Sequence, residues 1–405
     1  MQKVIEFLKK NIMGIIIGGV LFGGIGIVIA TSIQSEAILY SNEANENVAT
    51  VEDALDDLYS KAGSNSGSSF LTSLTIGGTT INTVTITTED NYNTIYNTIK
   101  LYDGVLYHHT SDTTADDYIA NNAGDDSYRY SGPNPNNWVC FGYDRNSITD
   151  TNSNDIPDIC ESGTFSATSD NAYRIIGWFK DVDGNSNNAY YMKLIKATAY
   201  TGGGSTVAWN SSNSNTFSAS PLFSTTLNGA SGSYLSTLTS NGWNSYLAQP
   251  IWNVGGCPNA SCVSGTANSA YTAEMVTSGS NSYGAYGTAA TNNSYKIGLM
   301  YVNDYAYAVQ SDYWTRPLGG NSSTDYRTLT SYNWMYVSGL GTEWTISRFS
   351  DYSNSSFIVS SNGNVSYDIV STYSYAVRPV LYLASSTKIN ENTNGTVTSP
   401  YVLGI

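Results

Sequence analysis

After residue 70, the chain consists mainly of short runs in which apolar and polar residues alternate. The segment 73–84, SLTIGGTTINTV, alternates on both sides of a Gly-Gly pair, which predicts a β-hairpin. Short helices are expected around Leu227, Leu235 and Leu238, and after the strand that opens KIGLMYVNDYAYAV. Together these signals predict a β-rich α+β protein. Further strands are expected in NNWVCFG, AYRIIGWF, AYYMKLIKATAY, EWTISRF, SFIVSSNGNVSYDIV, YAVRPVLYLAS and SPYVLGI.

The first 35 residues follow a different pattern. Three lysines precede an uncharged run over 11–34, which is long enough to cross a bilayer as a helix. Because the lysines lie on its N-terminal side, that end is expected in the cytoplasm and the body outside. The alternative is a signal peptide, with a small-residue cleavage site at Val28 and Ala30. In either case we expect an exported body, anchored at the cell surface or secreted.

The rest of the chain divides into three parts. Residues 36–69 are predicted to form a short stalk helix followed by a Gly/Ser linker. Residues 70–124 are expected to form a small β region, and residues 125–405 the principal domain. The apolar positions that share one face of the stalk helix are Val48, Val51, Leu55 and Leu58.

The composition is polar but weakly charged. Only 12% of residues are charged, the formal net charge is -15, and there are 33 tyrosines. Binding to phosphates requires clustered Lys and Arg, so nucleic acid is excluded as the main partner, and membrane contact is expected only through the N-terminal helix. Tyr and Asn instead supply contact area and adaptable hydrogen bonds, as binding surfaces do.

Three motifs occur in order within residues 343–385, EWTISRFSDYSNSSFIVSSNGNVSYDIVSTYSYAVRPVLYLAS. A W-x-x-S/R strand precedes a variable hairpin with an S-x-G-x-V turn, and a V-R-P-V strand follows. This order resembles the C-terminal signature of an exported bacterial surface-protein family of Firmicutes type. Members of that family have a C-type-lectin-like (formylglycine-generating-enzyme-like) C-terminal domain. The matching residues are Trp344, Arg348, Ser361, Gly363, Val365, Val377, Arg378, Pro379 and Val380.

The resemblance also covers upstream segments, because SYRYSGPNPNNWVCFG, YRIIGWF and YMKLIKA are similar to the first strands of that family. It implies a C-type-lectin-like domain over 125–405. Among the fold relatives, sulfatase-modifying oxidases need cysteine chemistry in the C-terminal half, and no cysteine follows Cys262. Other relatives are receptor-binding proteins diversified by retroelements, and residues 351–375 share the composition of their variable hairpins.

We therefore expect a cell-surface binding protein, an adhesin or receptor, that recognises a glycan or a protein through its lectin-like face. Sugars stack on aromatic rings and form hydrogen bonds with amides, so the supply of Tyr and Asn fits. The alternative is a self-associating structural subunit of a surface layer or filament, and thus a homo-oligomer. The side chains expected to contact the ligand are Trp334, Tyr336, Trp344, Tyr352, Asn354 and Tyr367.

The sequence lacks the motifs of common enzymes. It contains no G-x-S-x-G, H-E-x-x-H or Gly-rich phosphate loop, so no enzymatic activity is expected. The histidines, His108 and His109, are adjacent, and neighbours on a strand point to opposite faces. We therefore expect both to be incidental surface residues.

Four cysteines in an exported body predict two disulfides. The closeness of Cys257 and Cys262 favours a small local loop, which leaves Cys140 to pair with Cys160. Four thiolates on a metal are the alternative, disfavoured by the absence of close C-x-x-C pairs.

The segment 150–161, DTNSNDIPDICE, resembles a calcium loop of the EF-hand type, and structural Ca²⁺ is the expected cofactor. It departs from that pattern at Asp155, where Gly usually permits the sharp turn. The alternative is a polar turn closed by the disulfide between Cys140 and Cys160. The expected ligands are Asp150, Asn152, Asn154, Asp158 and Glu161.

Overall fold

The computed structural model describes four strands within 38–84 and residues 106–403, except for 187, 203, 205, 388 and 391–392. The chain forms two compact units, residues 1–95 and 96–405. The expected N-terminal membrane span lies outside the described residues, as do Val51, Leu55 and Leu58 of the expected stalk helix. Val48, the first apolar position of that helix, lies in a strand instead. Among the described residues, no helix combines the length and apolar character that crossing a membrane requires.

The first unit contains a four-stranded antiparallel sheet. Leu71–Ile76 and Thr79–Val84 pair so that Ile76 lies opposite Thr79, which confirms the hairpin predicted around the Gly-Gly pair. Two strands from 36–69 complete the sheet. They are Ile38–Ser41 and Asn47–Val48.

The second unit is built around an eight-stranded sheet. Trp138–Cys140 pairs with Ala172–Lys180 on one side and, in parallel, with Tyr401–Val402 on the other. The other pairings in this sheet are antiparallel. The strand Leu106–His109 also belongs to this sheet, so the unit begins upstream of residue 125, where the principal domain was predicted to start. Apart from Trp138–Cys140 and Tyr401–Val402, the six strands of this sheet lie in the order Ile297–Gly298, Val380–Tyr382, Tyr190–Lys196, Ala172–Lys180, Ser127–Tyr130 and Leu106–His109.

The central strand of this sheet is Ala172–Lys180, which is buried at every position except Lys180. A strand covered on both faces shows an apolar run rather than strict alternation, as in AYRIIGWF. Gly177 lies at a shift in register, and a Cβ there would be 2.1 Å from the backbone oxygen of Tyr128. Glycine therefore permits the close approach of the neighbouring strand.

Smaller sheets surround the large one. Glu343–Arg348, Ser355–Val359 and Val365–Ile369 form a three-stranded antiparallel sheet in that order. The two-stranded pairs are Val207–Ala208 with Ser374–Tyr375, Trp252–Asn253 with Thr291–Asn292, and Ser278–Asn281 with Gly284–Gly287.

The helices are short. Two of them, Tyr234–Ser240 and Val302–Tyr307, confirm the helices predicted around Leu235 and after the strand at Ile297. Within the part of the chain that the structure describes, strands contain more residues than helices, so the fold is α+β and β-rich. The α-helices are Tyr234–Ser240, Asn259–Cys262, Ala267–Tyr271 and Val302–Tyr307. The π-helices are Leu222–Leu227 and Thr272–Val276. The 3-10 helices are Arg145–Ser147, Asp158–Cys160, Phe217–Ala219, Asn244–Tyr246, Ser311–Tyr313, Tyr326–Thr328 and Thr330–Tyr332.

The core contains paired charges as well as aromatic rings. Arg378 donates from Nε and Nη2 to the two carboxylate oxygens of Glu343, at 2.7 and 2.8 Å, and both side chains are buried. Nη2 also donates to the carbonyl oxygen of Met335 at 2.7 Å. The nearby Arg174 is stacked on Trp334, with its Cζ 4.7 Å from the ring centre. Burial, and then the charge of Arg378, lowers the pKa of Arg174 to about 9.

Candidate functional site

The two tryptophans expected to contact a ligand lie in the core, which corrects that prediction. Trp344 is 1% exposed and Trp334 is 3% exposed. Their indole N–H groups donate to the backbone oxygens of Val207 and Tyr130, at 2.8 and 2.9 Å. Both rings are therefore enclosed by protein and are not available to a ligand at the surface.

Three exposed tyrosines and the phenylalanine beneath them form a surface that we call the tyrosine patch: Tyr283, Tyr352, Tyr367 and Phe349. The Phe349 ring centre lies 4.2 Å from that of Tyr367 and 5.2 Å from that of Tyr352. Tyr283 lies 6.0 Å from Tyr352 with the ring planes at 34°. Because Phe349 is buried, it supports the exposed rings from below.

Two buried polar side chains fix the loops that carry the tyrosine patch. The amide group of Asn215 donates to the carbonyl oxygens of Phe349, Tyr352 and Ser355, at 2.9, 2.7 and 2.7 Å. These three hydrogen bonds hold the turn that carries Tyr352 in a single conformation. An ordered turn loses less conformational entropy when a ligand binds.

Arg348 fixes the other loop. Its guanidinium donates to the carbonyl oxygens of Gly255 at 2.7 Å and Ala285, and so ties down the hairpin that carries Tyr283. Its backbone also passes close to Gly256, whose φ is +83° and where a Cβ would lie 2.2 Å from the Arg348 oxygen. Arg348 thus has a supporting role under the patch.

A cleft of about 320 Å³ adjoins the tyrosine patch. Tyr283 and Arg348 both line it, so the exposed ring and the cleft form one continuous surface. Aromatic rings beside a cleft with backbone and amide groups are a usual arrangement for small polar ligands. The remaining lining residues are Thr216, Phe217, Ser218, Val254, Gly284, Ala285, Ala290, Thr291 and Asn292.

The other two expected contact residues are less exposed than the patch. Tyr336 is half-buried and its hydroxyl donates to the carbonyl oxygen of Ser361 at 2.8 Å. Asn354 is half-buried in the turn that follows Tyr352, and its backbone oxygen accepts from Val370 N at 3.0 Å. Asn354 lies beside the patch along the chain, whereas Tyr336 supports the neighbouring turn at Ser361.

Both predicted disulfides are confirmed, Cys140–Cys160 and Cys257–Cys262. The first joins a strand of the large sheet to the end of the polar segment 150–161. The second joins the two ends of the PNAS loop. The backbone of Cys257 also pairs with that of Phe349, at the base of the tyrosine patch, in an isolated parallel β-bridge.

The segment 150–161 forms a loop closed by its own hydrogen bonds. Glu161 Oε1 accepts from the side-chain amides of Asn152 and Asn154, at 2.7 and 2.9 Å. Asp150 Oδ2 accepts from the backbone N–H of Asp155, whose φ of +62° is the strained conformation that glycine would relieve. Asp158 Oδ1 accepts from the backbone of Thr151 at 2.9 Å.

Within the described residues, no group of three or more His, Cys, Asp and Glu is arranged to hold a metal ion. The calcium site therefore stays a prediction.

If calcium binds to the segment 150–161, the protein should have a higher melting temperature in about 1 mM Ca²⁺ than in chelator. With the affinities of extracellular calcium modules, the expected gain in stability is about 0.4–1.4 kcal/mol. Glu161→Ala should abolish the gain and Asp183→Asn, in another acidic turn, should keep it. Equal melting temperatures in calcium and chelator would leave only the disulfide-closed turn.

A second cavity, of about 300 Å³, lies against the large sheet and is lined by paired charges. Lys193 Nζ lies 2.6 Å from Asp304 Oδ2, and both side chains are 1% exposed. Arg129 pairs with Asp125 at 2.6 Å and donates to Asn303 at 2.9 Å. The pattern of apolar and polar residues did not predict this cluster, because its members come from three separate segments of the chain, 125–129, 193 and 303–304.

The two histidines differ from the expectation that both are incidental surface residues. His108 is half-buried and its ring nitrogens lie 3.2 and 2.8 Å from carboxylate oxygens of Asp117 and Asp126. His109, on the opposite face, is buried between Tyr307 and Trp314. Its Nδ1 accepts from Ala123 N at 2.9 Å, which places the proton of the neutral ring on Nε2.

This burial predicts that the protein loses stability in mild acid. Burial, and then the charge of Arg129, holds the pKa of His109 well below its usual value. Stability is therefore complete above the unfolded pKa of about 6.5 and falls as the pH drops below it, by up to about 1.4 kcal/mol per pH unit. Urea unfolding at pH 7.5 and 5.5 measures this loss of stability, and His109→Gln should reduce the difference between the two pH values. An equal pH dependence in wild type and His109→Gln would contradict the assignment.

Comparison of the chain with protein-family models, curated proteins and solved structures gave no match.

Proposed function

We propose that this protein is an extracellular binding protein that recognises a glycan through the tyrosine patch and the adjoining cleft. The observation that carries this proposal is the set of exposed, neighbouring rings of Tyr283, Tyr352 and Tyr367. Such rings offer apolar faces on which sugar C–H groups stack, and the cleft beside them offers backbone and amide hydrogen-bonding groups. The role is binding rather than catalysis, with the body of the chain exported and anchored by its N-terminal segment.

The arrangement of the strands supports a C-type-lectin-like fold for the second unit. The late strands Val380–Tyr382 and Tyr401–Val402 pair with the early strands Tyr190–Lys196 and Trp138–Cys140. The long segment between these early and late strands forms an excursion from the base and contains the small sheets and the tyrosine patch. In such a domain, the base gives rigidity and the excursion carries recognition.

Glycan recognition is tested by screening the purified protein on a glycan array and measuring the best ligand by titration calorimetry. Tyr352→Ala and Tyr367→Ala should each weaken the affinity by about tenfold or more, because each removes one stacking surface. Asn215→Ala should also weaken it, since the turn that carries Tyr352 is released.

Tyr332→Ala is the matched control, because Tyr332 is exposed to a similar extent as Tyr367 but packs against Tyr313 instead of the patch. This variant should bind like the wild type. Absence of any glycan binding, or an equal loss in Tyr332→Ala and Tyr352→Ala, would contradict the assignment of the site. If a protein ligand binds instead, and the same variants weaken its binding, the ligand class would change but the tyrosine patch would remain the binding surface.

Self-association is the second candidate function, and the strand Val365–Ile369 favours it. This strand is the last in its three-stranded sheet and exposes Tyr367 and Ile369. Exposed apolar side chains on an outer strand favour pairing between copies of a chain. Light scattering coupled to size exclusion tests this, since a strict monomer at high concentration rules it out.

A further inference from the structure

The ion pair of Lys193 and Asp304 joins two distant parts of the second unit. Lys193 lies on the strand Tyr190–Lys196 of the large sheet, and Asp304 lies in the first turn of the helix Val302–Tyr307. The two residues are 111 positions apart in sequence, yet Nζ and Oδ2 are 2.6 Å apart. A third group, the backbone N–H of Tyr301, donates to the same Asp304 oxygen at 2.8 Å.

The surroundings of Lys193 are aromatic. Its Nζ lies 4.8 Å from the ring centre of Tyr301, 5.1 Å from Phe179 and 5.2 Å from Tyr382. Burial lowers the pKa of Lys193 although Asp304 opposes this shift. In such an environment, transfer of a proton from the ammonium to the carboxylate is less costly than in water. The neutral amine that such a transfer produces is a nucleophile.

We propose that Lys193 and Asp304 become joined by an intramolecular amide bond between Nζ and Cγ. The amine attacks Cγ, a C–N bond forms, and one C–O bond of the carboxyl group breaks. Of the three ammonium protons, two leave with the departing oxygen as water and one stays on the amide nitrogen. The reaction is therefore balanced without an oxidant, a reductant or another reactant.

The groups around Asp304 favour this reaction. Arg129 Nη1 lies 4.0 Å from Asp304 Oδ1, and the Tyr301 N–H donates to Oδ2, so negative charge that develops on the carboxyl oxygens is stabilised. The fixed contact removes the entropic cost of bringing amine and carboxyl group together. Lys193 and Asp304 both line the cavity of about 300 Å³, which gives the released water a place to go.

Two other lysine–aspartate pairs with similar distances serve as internal controls. Lys196 Nζ lies 2.7 Å from Asp170 Oδ1, but the Asp170 side chain is fully exposed. Lys180 lies 2.7 Å from Asp126, and both are substantially exposed. Water solvates the exposed aspartates of both pairs, so neither pair is expected to condense.

Mass spectrometry of the full-length protein tests the proposal directly. Trypsin should leave Lys193 uncut and release peptide 181–196 linked to peptide 297–327, with a combined mass lower by one water molecule. The link should survive boiling in detergent and thiol reductant, unlike the disulfides. Peptides with Lys180, Asp126, Lys196 and Asp170 should show no such link.

Lys193→Arg keeps the positive charge but cannot form the amide, so its peptides should separate. Recovery of the wild-type peptides 181–193 and 297–327 as separate species, with Lys193 cleaved, would overturn the proposal. Because this readout comes from the wild-type protein, it does not depend on whether a variant folds. The outcome is also independent of the glycan-binding proposal, which concerns a different surface.

Discussion

Replacing Arg378 with methionine is expected to lower the free energy of unfolding by about 3–5 kcal/mol. The change leaves Glu343 buried and without its cation, because Arg378 supplies two hydrogen bonds to that carboxylate. The carbonyl oxygen of Met335 loses a donor as well. Urea or guanidinium unfolding, followed by tryptophan fluorescence, measures the loss.

The double variant Arg378→Met with Glu343→Leu should recover much of this loss, because it removes both charges from the buried site. Lys180→Met is the matched control, since the exposed pair of Lys180 and Asp126 contributes at most about 1 kcal/mol. A loss in Arg378→Met no larger than in Lys180→Met would contradict the view that this pair organises the core.

Trp344→Ala is expected to cost about 3–5 kcal/mol of folding stability, because the ring is 1% exposed and its removal leaves a cavity in the core. The indole packs 4.9 Å from the ring of Tyr375 and donates to the backbone oxygen of Val207. Both contacts connect the three-stranded sheet to the small pair formed by Val207–Ala208 and Ser374–Tyr375. Thermal or chemical unfolding reports the loss, and Trp344→Phe should retain part of the packing.

Tyr352→Ala provides the contrast, since a ring 51% exposed contributes little to folding and its removal should stay within about 0.5 kcal/mol. The two variants therefore separate stability from binding. A Trp344→Ala protein with wild-type stability and lost ligand binding would show that Trp344 meets the ligand after all. That result would contradict its position in the core.

The strands were largely predictable, because their signals are local. The apolar runs AYRIIGWF and AYYMKLIKATAY predicted the strands Ala172–Lys180 and Tyr190–Lys196 of the large sheet. The hairpin over 278–287 was not predicted, since its serines and glycines are mostly exposed and show no apolar alternation. The order of strands in the sheet was not predictable either, because it depends on contacts between distant segments.

The candidate site was predictable only in part. Tyr352 and Tyr367 were identified because they lie in the hairpin that resembles a variable recognition surface. Trp344 was assigned wrongly, since residue type does not show which side of a strand faces solvent, and Glu343–Arg348 is buried on both faces. Tyr283 and Asn215 were missed because folding alone brings them to the patch.

The parallel pairing of Tyr401–Val402 with Trp138–Cys140 has a consequence for the order of synthesis. The large sheet lacks this strand until residues 401–402 have left the ribosome. Val380–Tyr382, which separates Ile297–Gly298 from Tyr190–Lys196, also arrives late. Contacts between such distant segments slow folding, so the second unit reaches its final form only after translation of its last residues.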